Sequence, residues 1–210
     1  MTRNNLPNSE YEKFYWGIGK DFIAGVDEAG RGPLAGPVVA ASVIFPKFFE
    51  NIYGINDSKK LSKEKRFELF FLITEKALAI SACIIPEYII DEINIYHASI
   101  LAMEYSIEIL NIKPDFILVD GTELKNYKNY KKIIKGDQLS VSIAAASIIA
   151  KVIRDNIMGF YHLKFPCYNF KNNCGYPTKE HKIAIKKFGI CPIHRKSFQP
   201  VKNFIKNIDN

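Results

Sequence analysis

The chain has 210 residues, of which 48% are hydrophobic and 24% are charged, a balance that fits one globular domain with at most a small appendage. Its longest apolar stretch, from Ser140 to Met158, is interrupted by charged side chains, which excludes a membrane span there. The N-terminal residues lack the apolar core of a secretory signal, so we expect a cytoplasmic protein.

The charges are unevenly distributed along the chain. Residues 160–210 hold 10 basic and 2 acidic residues, whereas residues 1–159 hold 19 basic and 20 acidic ones. Aromatic residues are interleaved with the basic ones in this C-terminal quarter. That pattern is typical of nucleic-acid binding, but a solvated surface over a local aromatic core has the same composition. Charge alone leaves both interpretations open.

The predicted elements alternate between strands and helices after an opening pair of adjacent strands. An N-terminal arm with one amphipathic turn precedes them. The expected elements, in chain order, are strands over 22–26 and 38–45, a helix that begins after Ser62, a strand over 80–85, a helix over about 98–110, a strand over 116–119, a helix over about 140–161 and a helix over 178–188. This order predicts an α/β layer architecture with a mixed sheet.

Acidic residues follow two of the predicted strands. The first strand runs into Asp27 and Glu28, and the fourth runs into Asp120. A further acid, Asp137, lies between a glycine and the long helix. Because the functional crevice of an open α/β sheet lies beyond strand ends, these carboxylates are candidates for one site that holds Mg²⁺ or Mn²⁺. Each acid taken alone is also compatible with an ordinary turn.

One geometric condition applies to the first two acids. Successive side chains of a strand point to opposite faces, so Asp27 and Glu28 reach one metal site only if the chain bends there. The nearby Gly30 and Gly32 allow such a bend. Since none of the four histidines adjoins these acids, metal-activated water is the expected nucleophile rather than water activated by a histidine base.

The loop after the first strand has the sequence AGRGPLAGP, from Ala29 to Pro37. Its glycine spacing is not that of a dinucleotide-binding loop, and it contains no GK[ST] sequence. Nucleotide-cofactor binding is therefore not expected. The loop instead offers backbone N–H and C=O groups and the guanidinium of Arg31, which would suit close contact with the edge of a sugar.

The cysteines form no CxxC pair, so we expect reduced thiols. A zinc site is an alternative, although its spacings match no common zinc pattern. The residues that would build it are Cys167, Cys174, His181, Cys191 and His194.

The segment GVDEAGRGPLAGP, from Gly25 to Pro37, resembles the signature of ribonuclease HII, the bacterial type 2 ribonuclease H. Other segments between about residues 20 and 202 resemble further blocks of that family. They are DSKKLS at 57–62, IDEINI at 90–95 with LAM at 101–103, VDG at 119–121, KGD at 135–137, AAASIIAK at 144–151 with Arg154 and Asp155, Gly175-Tyr176 with Thr178 and His181, and HRKSF at 194–198. One departure is Cys174, which stands where the family often has lysine and puts one backbone contact in doubt.

The resemblance implies an RNase H-like three-layer α/β fold with a mixed central sheet and a C-terminal helical extension. It divides the chain into an N-terminal arm (1–19), a catalytic domain (20–165) and a basic extension packed on it (166–210). The implied activity is endonucleolytic cleavage of the RNA strand in RNA–DNA hybrids and incision 5′ of ribonucleotides embedded in duplex DNA. Such an enzyme serves ribonucleotide excision repair and DNA replication, and we expect a monomer with no membrane partner.

The resemblance also implies site residues. Asp27, Glu28, Asp120 and Asp137 would be catalytic and would hold two divalent ions, Mn²⁺ or Mg²⁺, as in two-metal hydrolysis that leaves 5′-phosphate and 3′-hydroxyl ends. The loop would read the 2′-hydroxyl, and Tyr176 would stack on the sugar at the scissile junction. The implied substrate-binding residues are Gly30, Arg31, Gly32, Lys59, Ser147, Tyr176 and Arg195. For His194 and Arg195, a structural role and a phosphate contact are both compatible with the sequence.

Two alternatives remain at this point. The first is another metal nuclease of the same fold, either resolvase-like or of the ribonuclease HIII type. Residues 30–32 look like the HII type, and residues 1–19 would leave no room for the extra N-terminal domain typical of HIII. The second is a non-catalytic hybrid-binding protein, against which the four intact acids count.

Overall fold

A mixed five-stranded sheet lies at the centre of the computed structural model, which describes residues 6–49, 52, 54–56, 58–59 and 61–206. The strands are β1 (Ile23–Ala29), β2 (Val38–Ile44), β3 (Ala79–Ile85), β4 (Phe116–Asp120) and β5 (Tyr130–Ile133). Their order across the sheet is β3-β2-β1-β4-β5. β1 pairs antiparallel with β2 and β2 with β3, whereas β1 pairs parallel with β4 and β4 with β5.

Helices cover both faces of the sheet within the described ranges. They are α1 (Glu10–Gly17), α2 (Lys63–Lys76), α3 (Glu87–Glu108), α4 (Val141–Lys164), α5 (Phe170–Asn173), α6 (Lys179–Phe188) and α7 (Val201–Lys206). Two short 3-10 turns, Gly136–Gln138 and Pro166–Tyr168, complete the order. None of the helices in this part of the chain has the length and apolar character needed to cross a membrane.

The side chains of β2 show why the fold has three layers. Val38, Ala40 and Ile44 lie in the core cluster shared with α3, whereas Val39 and Ala41 lie in the cluster shared with α2 and α4. Because strand side chains alternate between faces, a strand that is buried on both sides must be apolar throughout, as VVAASVI is. The predicted three-layer α/β architecture with a mixed sheet is confirmed.

β1 is longer than the sequence indicated. It continues through both acids to Ala29 instead of ending at Val26, with Asp27 opposite Ala41 and Glu28 opposite Ala40 in β2. Its pairing with β4 on the other side ends at Val26. The hydrogen bonds of β2 therefore carry the strand past the last apolar residue, and the two acids lie where the other neighbour has ended.

Two further elements differ from expectation. α3 begins at Glu87, about two turns before a non-helical residue, Asn94, with φ 64° and ψ 164°. The Asn94 carboxamide accepts hydrogen bonds from the amides of Tyr96 and His97, so it caps the second half of the helix. β5 was not predicted, because a four-residue edge strand with two lysines has no apolar alternation.

Three predicted helix starts coincide with side-chain caps. The hydroxyl oxygens of Ser62, Ser140 and Thr178 each accept a hydrogen bond at 3.2 Å from the amide three residues later. Such caps satisfy amides that have no partner within the helix. The local sequence therefore determines where α2, α4 and α6 begin.

The C-terminal residues pack on the glycine-rich loop. Leu34 and Ala35 of the loop share a buried cluster with Tyr168, Phe170 and Ile193. The helices after residue 165 are those expected for a C-terminal extension, but the division into three segments stays a prediction. Residues 1–5 of the predicted N-terminal arm and residues 207–210 of the predicted extension lie outside the described residues. The same holds for Asp57 and Lys60 of the DSKKLS segment.

Candidate active site

Three of the four predicted acids meet at the ends of two neighbouring strands. Asp27 and Glu28 lie in the last part of β1, and Asp120 is the last residue of β4. The Asp27 side chain is buried, and this burial raises the pKa of its carboxyl well above the ordinary value. The charges of Glu28 and Asp120 raise the pKa of Asp27 further. The three carboxylates are thus close enough to repel one another.

The first two acids are only partly satisfied by protein donors. Asp27 Oδ1 accepts the Glu28 amide at 2.7 Å, and Glu28 Oε1 lies 3.4 Å from Nη1 of Arg31. Burial raises the pKa of Glu28, and the Arg31 guanidinium opposes this shift. The second oxygen, Glu28 Oε2, is buried without a hydrogen-bond partner among the described residues. A buried, unpartnered carboxylate oxygen is costly to folding and is a suitable ligand for a cation.

Asp137 is joined to this group through the backbone. The amide of Gly136 donates to Asp120 Oδ1 at 2.6 Å, and Asp137 is the next residue, buried in the 3-10 turn before α4. A Cβ at Gly136 would lie 2.6 Å from Cδ1 of Ile143, so a larger residue there would require the Ile143 side chain to shift. Asp137 Oδ2 lies 4.0 Å from Nζ of the exposed Lys59. Lys59 is therefore placed at the rim of the acid group.

Ser147 lies on the first half of α4 beneath the same acids. Its side chain is buried, hydrogen-bonds the Asp27 carboxylate and lies 2.9 Å, oxygen to oxygen, from the hydroxyl of Ser58. The hydrogen bond from Ser147 lowers the pKa of Asp27 and so favours its ionised form. Ser147 therefore contacts a predicted catalytic acid from inside the protein, whereas the resemblance implied that it binds the substrate.

Arg195 holds the glycine-rich loop from below. Its guanidinium is fully buried, and its three nitrogens donate to the carbonyl oxygens of Gly36 at 2.9 Å, Arg31 at 3.1 Å and Gly30 at 2.6 Å. The loop carbonyls at Gly30 and Arg31, which the sequence suggested were available for a sugar, are therefore already engaged. Of the two roles left open for Arg195, these contacts favour the structural one.

Arg154 of α4 is a second buried arginine under the loop, and it was not predicted as a site residue. Its nitrogens donate to the carbonyls of Pro37 at 2.9 Å, Cys174 at 3.0 Å and Ala35 at 3.2 Å. The available signal was an arginine within a long helix that is mostly apolar, since a buried cation needs several acceptors. The two arginines together fix the loop on the C-terminal segment.

Tyr176 forms a wall next to the loop. Its ring is 39% exposed, and its Cε1 atom lies 3.7 Å from the place where a Cβ of Gly32 would be. The Lys151 ammonium lies 5.7 Å and the Arg154 guanidinium 5.8 Å from the ring centroid. The structure thus brings Tyr176 and the loop together, although about 140 residues separate them in the chain.

A basic cleft of about 520 Å³ opens beside Tyr176. Its cationic side chains are Lys63 and Arg66 of α2, Lys151 of α4 and Lys171 of α5. Three of these four residues precede the basic C-terminal quarter in the chain. Most of the positive charge of the cleft therefore comes from α2 and α4. Whether the C-terminal quarter itself holds a nucleic acid stays a prediction.

Within the described ranges, no group of three or more His, Cys, Asp or Glu side chains has the arrangement of an assembled metal site. In the acid group, protein donors engage Asp27 Oδ1, Glu28 Oε1 and Asp120 Oδ1, whereas Glu28 Oε2 has no hydrogen-bond partner among the described residues. In the zinc alternative, His181 Nε2 faces His194 Nε2 at 3.1 Å and His194 Nδ1 faces the Cys191 sulfur at 3.1 Å, while Cys167 is exposed. The histidine nitrogens are thus used in hydrogen bonds, and the zinc alternative has no support.

Comparisons with known proteins identify the family. A family model described as Ribonuclease HII matches residues 24–201. Ribonuclease HII of Listeria monocytogenes serotype 4b (strain F2365) is 51% identical over 211 residues, which cover 100% of this chain and 80% of that protein. The crystal structure of ribonuclease H2 from Pyrococcus horikoshii OT3 matches with a TM-score of 0.76 and 26% identity, over 90% of this chain and 99% of that one.

A more distant structure shares the fold. The crystal structure of Bst-RNase HIII in complex with Mn²⁺ matches with a TM-score of 0.65 and 18% identity, over 90% of this chain and 71% of that one. The match of the HII model to most of the chain, together with the 51% identity to a curated relative over the whole of this chain, decides against the HIII-type and resolvase-like alternatives. The chain belongs to the ribonuclease HII family and is an RNase H enzyme.

Proposed function

We propose that this enzyme hydrolyses the RNA strand of RNA–DNA hybrids and incises 5′ of single ribonucleotides in duplex DNA, with Asp27, Glu28, Asp120 and Asp137 as its catalytic acids. The observation that carries the proposal is the meeting of Asp27, Glu28 and Asp120 at adjacent strand ends, where the glycine-rich loop begins. The family assignment supports the reaction class. The products would carry 5′-phosphate and 3′-hydroxyl ends.

The four acids have the ligand chemistry for divalent cations. They offer only oxygen ligands, Asp27, Glu28 and Asp120 repel one another, and Glu28 Oε2 lacks a partner in the described part of the chain. When bound, Mn²⁺ or Mg²⁺ would supply Lewis-acid stabilisation of phosphate oxygens and would acidify a water molecule. The Mn²⁺ complex of the structural neighbour Bst-RNase HIII is consistent with this chemistry.

The remaining residues would bind and orient the substrate. Because Arg195 engages the carbonyls of Gly30 and Arg31, the amides of residues 30–32 are the loop groups most suited to the 2′-hydroxyl, which both donates and accepts hydrogen bonds. Tyr176 would provide a stacking surface for the neighbouring sugar. Lys59, at the rim of the acids, would contact a phosphate near the scissile bond.

The basic cleft would receive the continuing phosphate backbone. It adjoins Tyr176, and its four cations outnumber its single acid, Asp155, which lies 2.7 Å from Nζ of Lys151 and 3.6 Å from Nη2 of Arg66. Cations held in place by a buried carboxylate give a phosphate a fixed partner rather than a mobile one. Phosphate contacts of this kind position a duplex without reading its sequence.

The test is cleavage of one defined duplex that contains a single ribonucleotide, by Asp27→Asn and by wild type. We expect Asp27→Asn to lose more than ~100-fold in rate, since even outer-shell partners of a catalytic metal cost about 10- to 100-fold. Binding of the duplex should survive, because the loop, Tyr176 and the cleft are unchanged. Cleavage by Asp27→Asn at a near wild-type rate would reject the assignment of the acids.

A further inference from the structure

The N-terminal helix α1 reaches the fourth acid of the site through one buried carboxylate. Glu12 is 2% exposed, and its Oε1 accepts hydrogen bonds from Ser140 Oγ at 2.6 Å, from the Ser142 amide at 3.1 Å and from Ser142 Oγ. Ser140 is the N-cap of α4 and comes three residues after Asp137. Glu12 therefore binds the chain segment that leads directly out of the acid group.

Backbone contacts strengthen the same attachment. The Asn8 amide donates to the Leu139 carbonyl at 3.2 Å, and the Val141 amide donates to the Asn8 carbonyl at 2.9 Å. The turn that contains Asp137 is closed by the Ser140 amide, which donates to the Gly136 carbonyl at 2.8 Å. The path from Glu12 to Asp137 thus consists of hydrogen bonds and three intervening residues.

The start of α4 also contacts the strand that carries Asp27 and Glu28. A Cβ at Gly25 in β1 would overlap with the backbone of Ser142, so α4 begins in direct contact with β1. The amide and the hydroxyl of Ser142 in turn donate to Glu12 of α1. Contacts with both β1 and α1 therefore position the start of α4.

The burial of Glu12 is costly. Its second oxygen, Oε2, has no hydrogen-bond partner among the described residues, although it is buried. An apolar side chain would avoid that desolvation cost, whereas a carboxylate at a helix N-terminus provides a directional acceptor for several donors. The cost is explained if the position of the turn around Asp137 matters for the reaction.

We propose that Glu12 is a positioning residue, which holds Asp137 in the geometry needed to bind a divalent cation with the other acids. The inference rests on the proposed function, because it assumes that Asp137 is a metal ligand. Outer-shell groups of this kind orient a ligand without contacting the ion. This role of Glu12 makes α1 part of the active site rather than a peripheral arm.

The experiment measures Mn²⁺ binding by isothermal titration calorimetry and by the EPR signal of free Mn²⁺. We expect Glu12→Ala to weaken Mn²⁺ binding by about tenfold or more. Glu12→Gln, whose amide oxygen can still accept from Ser140 and Ser142, should restore most of the affinity. The matched control is Glu10→Ala on the exposed side of α1, which should bind Mn²⁺ as wild type does. Wild-type affinity in Glu12→Ala would overturn the proposal.

A double-mutant cycle tests whether the effect passes through Asp137. If it does, adding Glu12→Ala to Asp137→Asn produces little further loss of Mn²⁺ affinity, since coupled residues are not additive. A full second loss would overturn the proposed path. If circular dichroism shows that Glu12→Ala does not fold, Ser142→Ala, which removes one donor, replaces it in both measurements. Unchanged affinity in that variant would equally overturn the proposal.

Cleavage separates this inference from the proposed function. With Glu12→Ala, the Mn²⁺ concentration for half-maximal cleavage should rise, while the rate at saturating Mn²⁺ approaches that of wild type. A wild-type enzyme that neither binds Mn²⁺ nor cleaves the duplex would refute the proposed function itself. A wild-type enzyme that does both, beside a Glu12→Ala variant with the same metal response, would refute only the role of Glu12.

Discussion

The pKa and the exposure of individual side chains at this site depend on their immediate neighbours. Asp27 is buried next to Glu28 and Asp120, so its carboxyl is held at a raised pKa in the absence of a compensating cation. Tyr176, unlike the buried Asp27, remains partly exposed, and it lies next to Gly32 and two cationic groups. A half-exposed aromatic ring beside a basic cleft suits stacking on a nucleotide.

At the residue scale, Tyr176→Ala should slow cleavage at a single embedded ribonucleotide by the ~1–3 kcal/mol that one stacking platform contributes. Tyr176→Phe is the matched control, because it keeps the ring and removes only the hydroxyl. The measurement is kcat/KM on one duplex with a lone ribonucleotide. Equal rates for Tyr176→Ala and wild type would remove this side chain from the substrate site.

At the scale of elements, the glycine-rich loop owes its shape to two arginines from distant parts of the chain. Arg154 comes from α4 and Arg195 from the segment before α7, and between them they donate to six backbone carbonyls. Burial lowers the pKa of both guanidinium groups, and Arg154 lowers that of Arg195 further. Fork-shaped donors suit this task because one side chain can satisfy several acceptors in fixed directions.

Arg195→Lys separates the two roles that the sequence left open. Lysine keeps the positive charge but cannot make three fixed hydrogen bonds, so a loop-supporting role predicts a loss of roughly 1–3 kcal/mol in the free energy of unfolding. Urea denaturation measures that loss. The salt dependence of duplex binding should stay unchanged, because no phosphate contact has been lost. Wild-type stability combined with a shallower salt dependence would instead identify a phosphate contact.

At the scale of the whole molecule, a buried histidine pair makes stability depend on pH. His194 contacts His181 and accepts the Cys191 amide at 2.9 Å, and its burial lowers the pKa of His194 to about 4. In the unfolded chain this histidine has its ordinary pKa of about 6.5. Between these two values the unfolded state binds a proton that the folded state does not, so stability is full above pH 6.5 and falls as the pH drops toward 4.

The expected contribution of His194 is a loss of about 3 kcal/mol in the free energy of unfolding across that range. Urea denaturation of wild type and His194→Gln at several pH values measures it. The comparison with His194→Gln is needed because the raised pKa values of Asp27 and Glu28 favour the folded state as the pH falls. Identical pH dependence in the two proteins would contradict the assignment to His194.

Local sequence determined those strands and helix starts that depend on residues close together in the chain. Apolar runs determined β2 and β4, and hydroxyl caps determined the starts of α2 and α6. The string GVDEAGRGPLAGP was enough for the resemblance to ribonuclease HII, and the family match confirms it. The caps and apolar runs could be predicted because the interactions behind them span only a few residues, and the resemblance because it rests on one continuous string.

Only the tertiary structure decided which residues, far apart in the chain, contact one another. β1 continues through Asp27 and Glu28 because β2 pairs with it there, and no local pattern shows that. Arg154, Arg195 and Glu12 act on segments more than 110 residues away, through hydrogen bonds that exist only when the sheet and α4 have assembled. Buried polar groups must find acceptors wherever the fold supplies them, and for this reason their roles are absent from the sequence.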